Sequence, residues 1–251
     1  MSAYEKIGAF FDLDGTLLAP PSLEWNFITF LLARDEIRTA NVTRWIAHSA
    51  KNLLRDLQKA TLGNKHYLAG VPRAVVADWE HMFSSMSPPL YIEGTNQMKW
   101  HLERRHQVFL VTGTLAPLAR AIARHMPCGV EVRATEIETR EDHFTGRLAS
   151  EHVVYDEKAR VLREAAAAYG LDLARSYAYG NQTSDFRMLD AVGNPVAVNP
   201  SWRLGRAARK RGWNVSKWSE LRQETRTKAP KIPRVDVREG RSRMLTEKAA
   251  G

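Results

Sequence analysis

The stretch "FFDLDGTLL" (10–18) closes an apolar run with two carboxylates one residue apart, Asp12 and Asp14, followed by Gly15 and Thr16. If extension continues, both side chains face the same side, and Gly15 permits a sharp departure of the backbone. Such a pair at the end of a strand is placed for chemistry rather than packing, with an Asx turn as the ordinary alternative. A second stretch, "YGNQTSDF" (179–186), sets Asn181 and Asp185 four residues apart where a strand-like run gives way to a helix-like one. An amide oxygen and a carboxylate can both ligate a hard cation, so this run reads as a polar turn or as the rim of a metal site. "FLVTGT" and "DEKARVL" add Thr112, Gly113 and Lys158. Taken singly, Thr112 reads equally as the N-cap of a following helix, and Lys158 as a solvated helical residue.

Bringing these residues together requires strands that end side by side. Short apolar runs at 7–11, 107–112, 130–135, 176–180 and 195–199 alternate with helical patterns at 93–106, 115–126, 157–169, 184–191 and 202–211. Several runs are unbroken, the pattern of strands covered on both faces of a parallel sheet. The alternation predicts an α/β fold, a Rossmann-like open parallel sheet with helices on both sides and its site at the carboxyl ends of the strands.

Between the first and second runs lies an insert of about 70 residues with helical patterning throughout. In "NVTRWIAHSAKNLLRDLQ", Val42, Trp45, Ile46, Ser49, Leu53, Leu54 and Leu57 recur on one face, and "MSPPLY" marks the return to the sheet. The expected organisation is a core of residues 1–19 and 90–218, an inserted all-helical domain at 20–89, and a basic, mobile tail at 219–251. A second insertion, "ATEIETREDHFTGRLASEHVV", reads as a β-hairpin turning at "TREDH".

With 251 residues, 44% of them apolar, the chain is long enough to bury a sizeable core. The N-terminus lacks a secretory pattern, and "WNFITFLLA" is too short to span a bilayer, so a soluble, cytoplasmic protein is expected. A single cysteine, Cys128, excludes an intramolecular disulfide framework and a cysteine-based zinc site. Lys and Arg exceed Asp and Glu by 37 to 28, with the excess concentrated after residue 202. That balance suits anionic partners or a solvated basic face; no zinc-finger spacing or helix-turn-helix signal points to specific nucleic-acid binding.

Four segments together resemble the motifs of the haloacid dehalogenase superfamily: "DLDGTLL" the first, "FLVTGT" the second, "DEKARVL" the third and "YGNQTSDFRML" the fourth. The resemblance covers residues 7 to about 213, and the helical insert is similar to the cap of the phosphoserine-phosphatase-like subgroup. It implies a phosphatase in which Asp12 attacks phosphorus and Asp14 acts as general acid and base. Thr112 and the Gly113 amide would hold a phosphate oxygen, and Lys158 would balance charge. Mg²⁺ would be held by Asp12, Asp14 through its carbonyl, Asn181 and Asp185.

Where the resemblance leads one to expect an acidic residue, the chain has Asn181, which implies weaker Mg²⁺ binding. The glutamate by which phosphoserine phosphatases of this group hold the substrate's amino group is replaced by Pro21 at the nearest position, with Glu24 three residues on. Trp25, Phe27, Phe30, Trp45, Trp79 and Phe83, with the basic Arg44, Lys51, Arg55, Lys59 and Lys65, read either as the insert's own core and wet face or as contacts for an apolar or doubly anionic substrate. The expected substrate is therefore a small phosphorylated metabolite or a phospholipid-related ester. Weak association of residues 203–243 with anionic membranes is a further expectation, and a catalytically weakened phosphate- or membrane-binding protein is the alternative.

Overall fold

Gly8 to Phe11 carry no polar side chain and are buried throughout, which places β1 (Gly8–Phe11) inside the sheet. The computed structural model describes residues 6–37, 41, 43, 65–86, 88–219 and 221. β1 pairs in parallel with β2 (Gln107–Leu115) on one side and β6 (Tyr177–Gly180) on the other. β3 (Val130–Thr135), β7 (Asn194–Val198) and β8 (Asn214–Ser216) complete a parallel sheet in the order β3-β2-β1-β6-β7-β8. The chain builds outward from β1 to β3 and then crosses back to β6, so the order reverses beside β1. At such a switch point the loops leaving adjacent strands turn to opposite sides and open a crevice.

The period of two along β1 assigns its side chains. Ala9 and Phe11 join one apolar cluster with Val108, Leu110 and Tyr179, while Phe10 joins another with Phe109, Val111 and Ala178. The second face is covered by α5 (Asp156–Tyr169), α6 (Phe186–Leu189) and α7 (Trp202–Arg211) through Leu162, Ala165, Met188 and Leu204. The first is covered by α3 (Ile92–Glu103) and α4 (Ala116–Ala123) through Met98, Leu118 and Ile122.

That first cluster continues into the insert. α1 (Leu23–Ala33) and α2 (Val75–Ser85) contribute Leu23, Phe27, Phe30, Leu31, Trp79 and Phe83 to it. Phe27 meets Trp79 edge-on and Trp79 stacks on Phe83, so these aromatics are core, while Trp25 is exposed. Lys65 departs from a wet-face reading: its side chain is 5% exposed and paired with Glu24. Apart from Thr43, the helix expected around 42–57, including Trp45, and the tail beyond Leu221 lie outside the described residues, as do Arg44, Lys51, Arg55 and Lys59.

The hairpin forms as β4 (Ile137–Arg140) and β5 (His143–Leu148), with Glu141 and Asp142 both at positive φ, as a two-residue turn between twisted strands requires. A lone hairpin is marginal in water, and this one packs on the insert: Phe144 exchanges backbone hydrogen bonds with Gly70 and Val71. β8 has no apolar run to reveal it, and β2 runs on through Thr112–Leu115 with a register shift, past the end its sequence suggests.

α3 is tied to the sheet by a polar chain under Phe11. Gln97 Nε2 donates to Tyr179 Oη at 2.9 Å, so the phenol donates to His101 Nε2 at 2.9 Å. Neutral His101 then carries its proton on Nδ1 and donates it to His106 Nδ1 at 2.8 Å. Burial, with His106 and Arg104 nearby, pushes His101 down to about 3. In the unfolded chain the same histidine titrates near ~6.5. Its contribution to stability is therefore complete above that value and is lost as pH falls from there toward 3. Urea unfolding between pH 7 and pH 4 should show stability dropping with acid, by up to about 1.4 kcal/mol per pH unit from this group, and His101→Gln should flatten that slope.

Candidate active site

Asp12 is one residue past β1. Its amide still donates to Tyr179 O at 2.9 Å, so the ladder holds it rigidly at the carboxyl edge. The chain then winds tightly, with the Leu13 carbonyl accepting from the amides of Thr16, Leu17 and Leu18 and Gly15 at φ +82. The turn brings Thr16 Oγ1 back to donate to Asp12 Oδ2 at 3.0 Å. Asp14 is pinned from two directions: the Leu23 amide donates to Oδ1 at 2.7 Å and Thr114 Oγ1 to Oδ2 at 2.5 Å. Burial raises the Asp14 pKa, against the opposing effect of these two donors.

Lys158 comes from the first turn of α5, a position where the helix dipole disfavours a cation. Two carboxylates offset this. Lys158 Nζ donates to Asp12 Oδ1 at 2.5 Å and to Asp185 Oδ1 at 2.6 Å, with the lysine side chain 2% exposed. Burial opposes the charge on Lys158, but Asp12 and Asp185 outweigh it and raise its pKa. Burial and the Asp185 charge push Asp12 up to about 7, with Lys158 acting the other way.

The other oxygen of Asp185 accepts from the amides of Asn181 and Gln182, at 2.9 and 2.8 Å, and so closes the turn after β6. Asn181 is buried beside Gly15, and its Oδ1 has no hydrogen-bond partner among the described residues. An unpaired buried amide oxygen costs roughly 1–3 kcal/mol, and a hard cation is one partner that would satisfy it. Oxygens for such an ion are thus at hand on Asp12 and Asn181, and the fit is with an oxygen-ligated ion. Among the described residues no three His, Cys, Asp or Glu side chains converge as a metal site. Asn181 is neutral and the Asp14 carboxylate is turned to Leu23 and Thr114, which accounts for that.

At the end of β2, Thr112 Oγ1 is buried and accepts from the Thr114 amide at 3.1 Å. The Gly113 carbonyl accepts from Thr135 Oγ1 at 2.9 Å and from His152 Nε2 at 3.0 Å, which orients this loop. The structure thus gathers Asp12, Asp14, Thr112, Gly113, Lys158, Asn181 and Asp185 at one edge of the sheet. Thr16, which the first motif contains without a role, and Thr114 and His152, which no motif singles out, complete the hydrogen-bonding frame. The Thr112/Thr114 alternation was a signal for Thr114, whereas nothing local marks His152.

The chain matches the haloacid dehalogenase-like hydrolase family over residues 9–190. A putative hydrolase of Mycobacterium leprae is 33% identical over 88% of this chain and 76% of its own length. A phosphoserine phosphatase of Mycobacterium tuberculosis is 32% identical over 88% of this chain and 74% of its own. Among solved structures, a Bordetella pertussis protein of unknown function superposes with a TM-score of 0.70 at 28% identity, covering 84% of this chain and 98% of that one. A phospho-aspartyl intermediate analogue of phosphoserine phosphatase shares the fold with a TM-score of 0.57 at 19% identity. The chain belongs to the haloacid dehalogenase-like hydrolases and falls with their phosphoserine-phosphatase-like members. It is a hydrolase of the phosphatase type.

A Cβ at residue 15 would sit 2.0 Å from Asn181 Nδ2, and φ +82 is itself strained for any residue with a side chain. Gly15→Ala should displace Asn181 and lower phosphatase turnover by at least about tenfold, while costing about 1–2 kcal/mol of stability. Turnover of p-nitrophenyl phosphate and a urea melt on the same preparation check both numbers.

Proposed function

We propose that this chain is a Mg²⁺-dependent phosphomonoesterase that passes the phosphoryl group first to Asp12 and then to water. The observation that carries this reading is the buried bridge from Lys158 to Asp12 and Asp185 at the switch point of the sheet. An Asp12 oxygen attacks phosphorus in line; the new O–P bond forms as the bond to the leaving oxygen breaks. The leaving alkoxide takes a proton from Asp14, whose raised pKa helps it hold one. Asp14 then takes a proton from water, the water oxygen bonds to phosphorus, and the Asp12–phosphorus bond breaks. Lys158 keeps its charge throughout and faces the oxygens that become negative. Thr112 and the Gly113 amide bind a nonbridging phosphate oxygen.

Mg²⁺ would be held by Asp12, the Asp14 carbonyl and Asn181, with Asp185 at the rim, and would supply positive charge to the phosphate oxygens. Asp185 serves chiefly as a positioning residue, since one oxygen holds Lys158 and the other the Asn181 turn.

Residues 20–89 act as a cap over a core of 1–19 and 90–218, and the hairpin of β4 and β5 docks on that cap. The substrate is a small phosphorylated molecule, a reading supported by relatives named as phosphoserine phosphatases. Arg203, Arg206, Arg209 and Lys210 on the exposed side of α7 supply the part of the basic region that would meet an anionic surface. A single, unpaired Cys128 fits the reducing cytoplasm.

Asp12→Asn should abolish Mg²⁺-dependent hydrolysis of p-nitrophenyl phosphate, by at least about a thousandfold, and unchanged turnover would remove Asp12 as nucleophile. An inactive wild type that still binds phosphate analogues would instead favour a binding protein of the same fold. Asn181→Asp adds a charge beside the metal position and should lower the Mg²⁺ concentration at half-maximal activity several-fold. The same variant should show a larger Mg²⁺-induced rise in Tm than wild type, checked by thermal melts at fixed Mg²⁺.

A further inference from the structure

Glu24 is the second residue of α1, and the amide of its neighbour Leu23 donates to Asp14 Oδ1 at 2.7 Å. It therefore stands one peptide unit from the proposed general acid, on the side from which a leaving group would depart. Its carboxylate is already occupied. Lys65 Nζ donates to Oε1 at 2.5 Å and to Oε2 at 2.7 Å, and Tyr67 Oη donates to Oε1 at 2.5 Å. These partners are held firmly, with the Lys65 side chain 5% exposed and Tyr67 likewise buried. The backbone of Lys65 and His66 presses on the hairpin, where a Cβ at Gly146 would lie 3.1 Å from the Lys65 carbonyl and 2.9 Å from His66 Cα.

Across from this cluster, His152 Nε2 donates to the Gly113 carbonyl, which leaves Nδ1 as an acceptor. Burial, and next the Lys65 charge, lowers the His152 pKa and keeps the ring neutral. The leaving-group side is thus walled by a neutralised Lys–Glu pair, a phenol and a neutral imidazole.

A carboxylate that accepts three charged or hydroxyl donors has little left for a substrate ammonium, and an ammonium brought there would meet Lys65 in a low-dielectric setting. Lys65 has a third N–H, and no acceptor for it stands among the described residues. We propose that Glu24, Lys65 and Tyr67 form the leaving-group subsite, and that it takes phosphomonoesters whose leaving group carries a hydroxyl or carboxylate acceptor and no ammonium. Glu24 and Tyr67 position Lys65, and Lys65 touches the substrate. This rests on the phosphomonoesterase reading for the place of the phosphate, and it separates this chain from a hydrolase of amino-bearing esters.

The test uses binding, so that it does not depend on turnover. Isothermal titration of the full-length Asp12→Asn protein in Mg²⁺ should show glycerol 3-phosphate and 3-phosphoglycerate binding at least about tenfold tighter than phosphoethanolamine. Adding Lys65→Met frees Glu24 and should close or invert that ratio in favour of phosphoethanolamine. Adding Glu24→Gln instead leaves Lys65 unneutralised and should widen the preference for 3-phosphoglycerate over phosphoethanolamine, which decides the matter if the Lys65→Met protein does not fold. Phosphoethanolamine binding as tightly as glycerol 3-phosphate, ratios unmoved by the Lys65 or Glu24 substitution, or no binding of any of the three esters would each overturn the proposal. Turnover of p-nitrophenyl phosphate by wild type judges the phosphatase reading separately: its absence removes hydrolysis, while the binding ratios still judge the subsite.

Discussion

One buried ammonium organises the molecule. Lys158 lies between Asp12 and Asp185, nearly sealed from solvent, at a helix N-terminus whose dipole opposes it. A buried ion pair of this kind contributes little to net stability, because desolvation of each charge offsets most of the attraction. Its consequence is geometric. Three separate elements, β1, the turn after β6 and the start of α5, must arrive within hydrogen-bond distance of one another, or a charge is left unpaired in the interior at a cost of about 3–5 kcal/mol. The Tyr155 amide donating to the Ser184 carbonyl at 3.1 Å, and the two turn amides on Asp185, fix the same meeting point from the backbone side.

The second constraint is the continuity of the apolar core from the sheet into the insert. Leu13, Leu17 and Leu18 on the first loop pack in one cluster with Leu23, Phe27 and Trp79. The amide of Leu23 ends on Asp14. The insert is therefore no appendage: the helix that begins it also orients the Asp14 carboxylate, and its next residue, Glu24, is held by Lys65 and Tyr67. The hairpin leans on the insert from the far edge of the sheet, where Gly146 lies close against the backbone of Lys65 and His66.

Much of this was legible in residue order. Unbroken apolar runs at β1, β2, β6 and β7 foretell strands covered on both faces of a parallel sheet, whereas β3, at the sheet edge, is interrupted by Glu131 and Arg133 and is half-exposed. The hairpin is legible because its alternation switches at a polar turn. β8 is not, since three residues with two exposed side chains leave no pattern to read. The continuation of β2 through "TGTL" is hidden by residues that ordinarily make turns, and with it went the role of Thr114. The insert's aromatics could serve core or ligand by composition alone, and only their mutual stacking places Phe27, Trp79 and Phe83 in the core.

By itself the sequence determined the fold class, the four motifs and the residue types that meet at the carboxyl edge, because each depends on local spacing and on the period of buried side chains. It also determined that Asn181 brings no charge to its place. The tertiary structure alone decided who satisfies whom. That Glu24 is bound to Lys65 and Tyr67, that Asp14 belongs jointly to Leu23 and Thr114, and that Asn181 Oδ1 is left without a partner among the described residues all depend on how segments distant in the chain meet. Such pairings are fixed by packing in three dimensions, and nothing in the local order of residues encodes them.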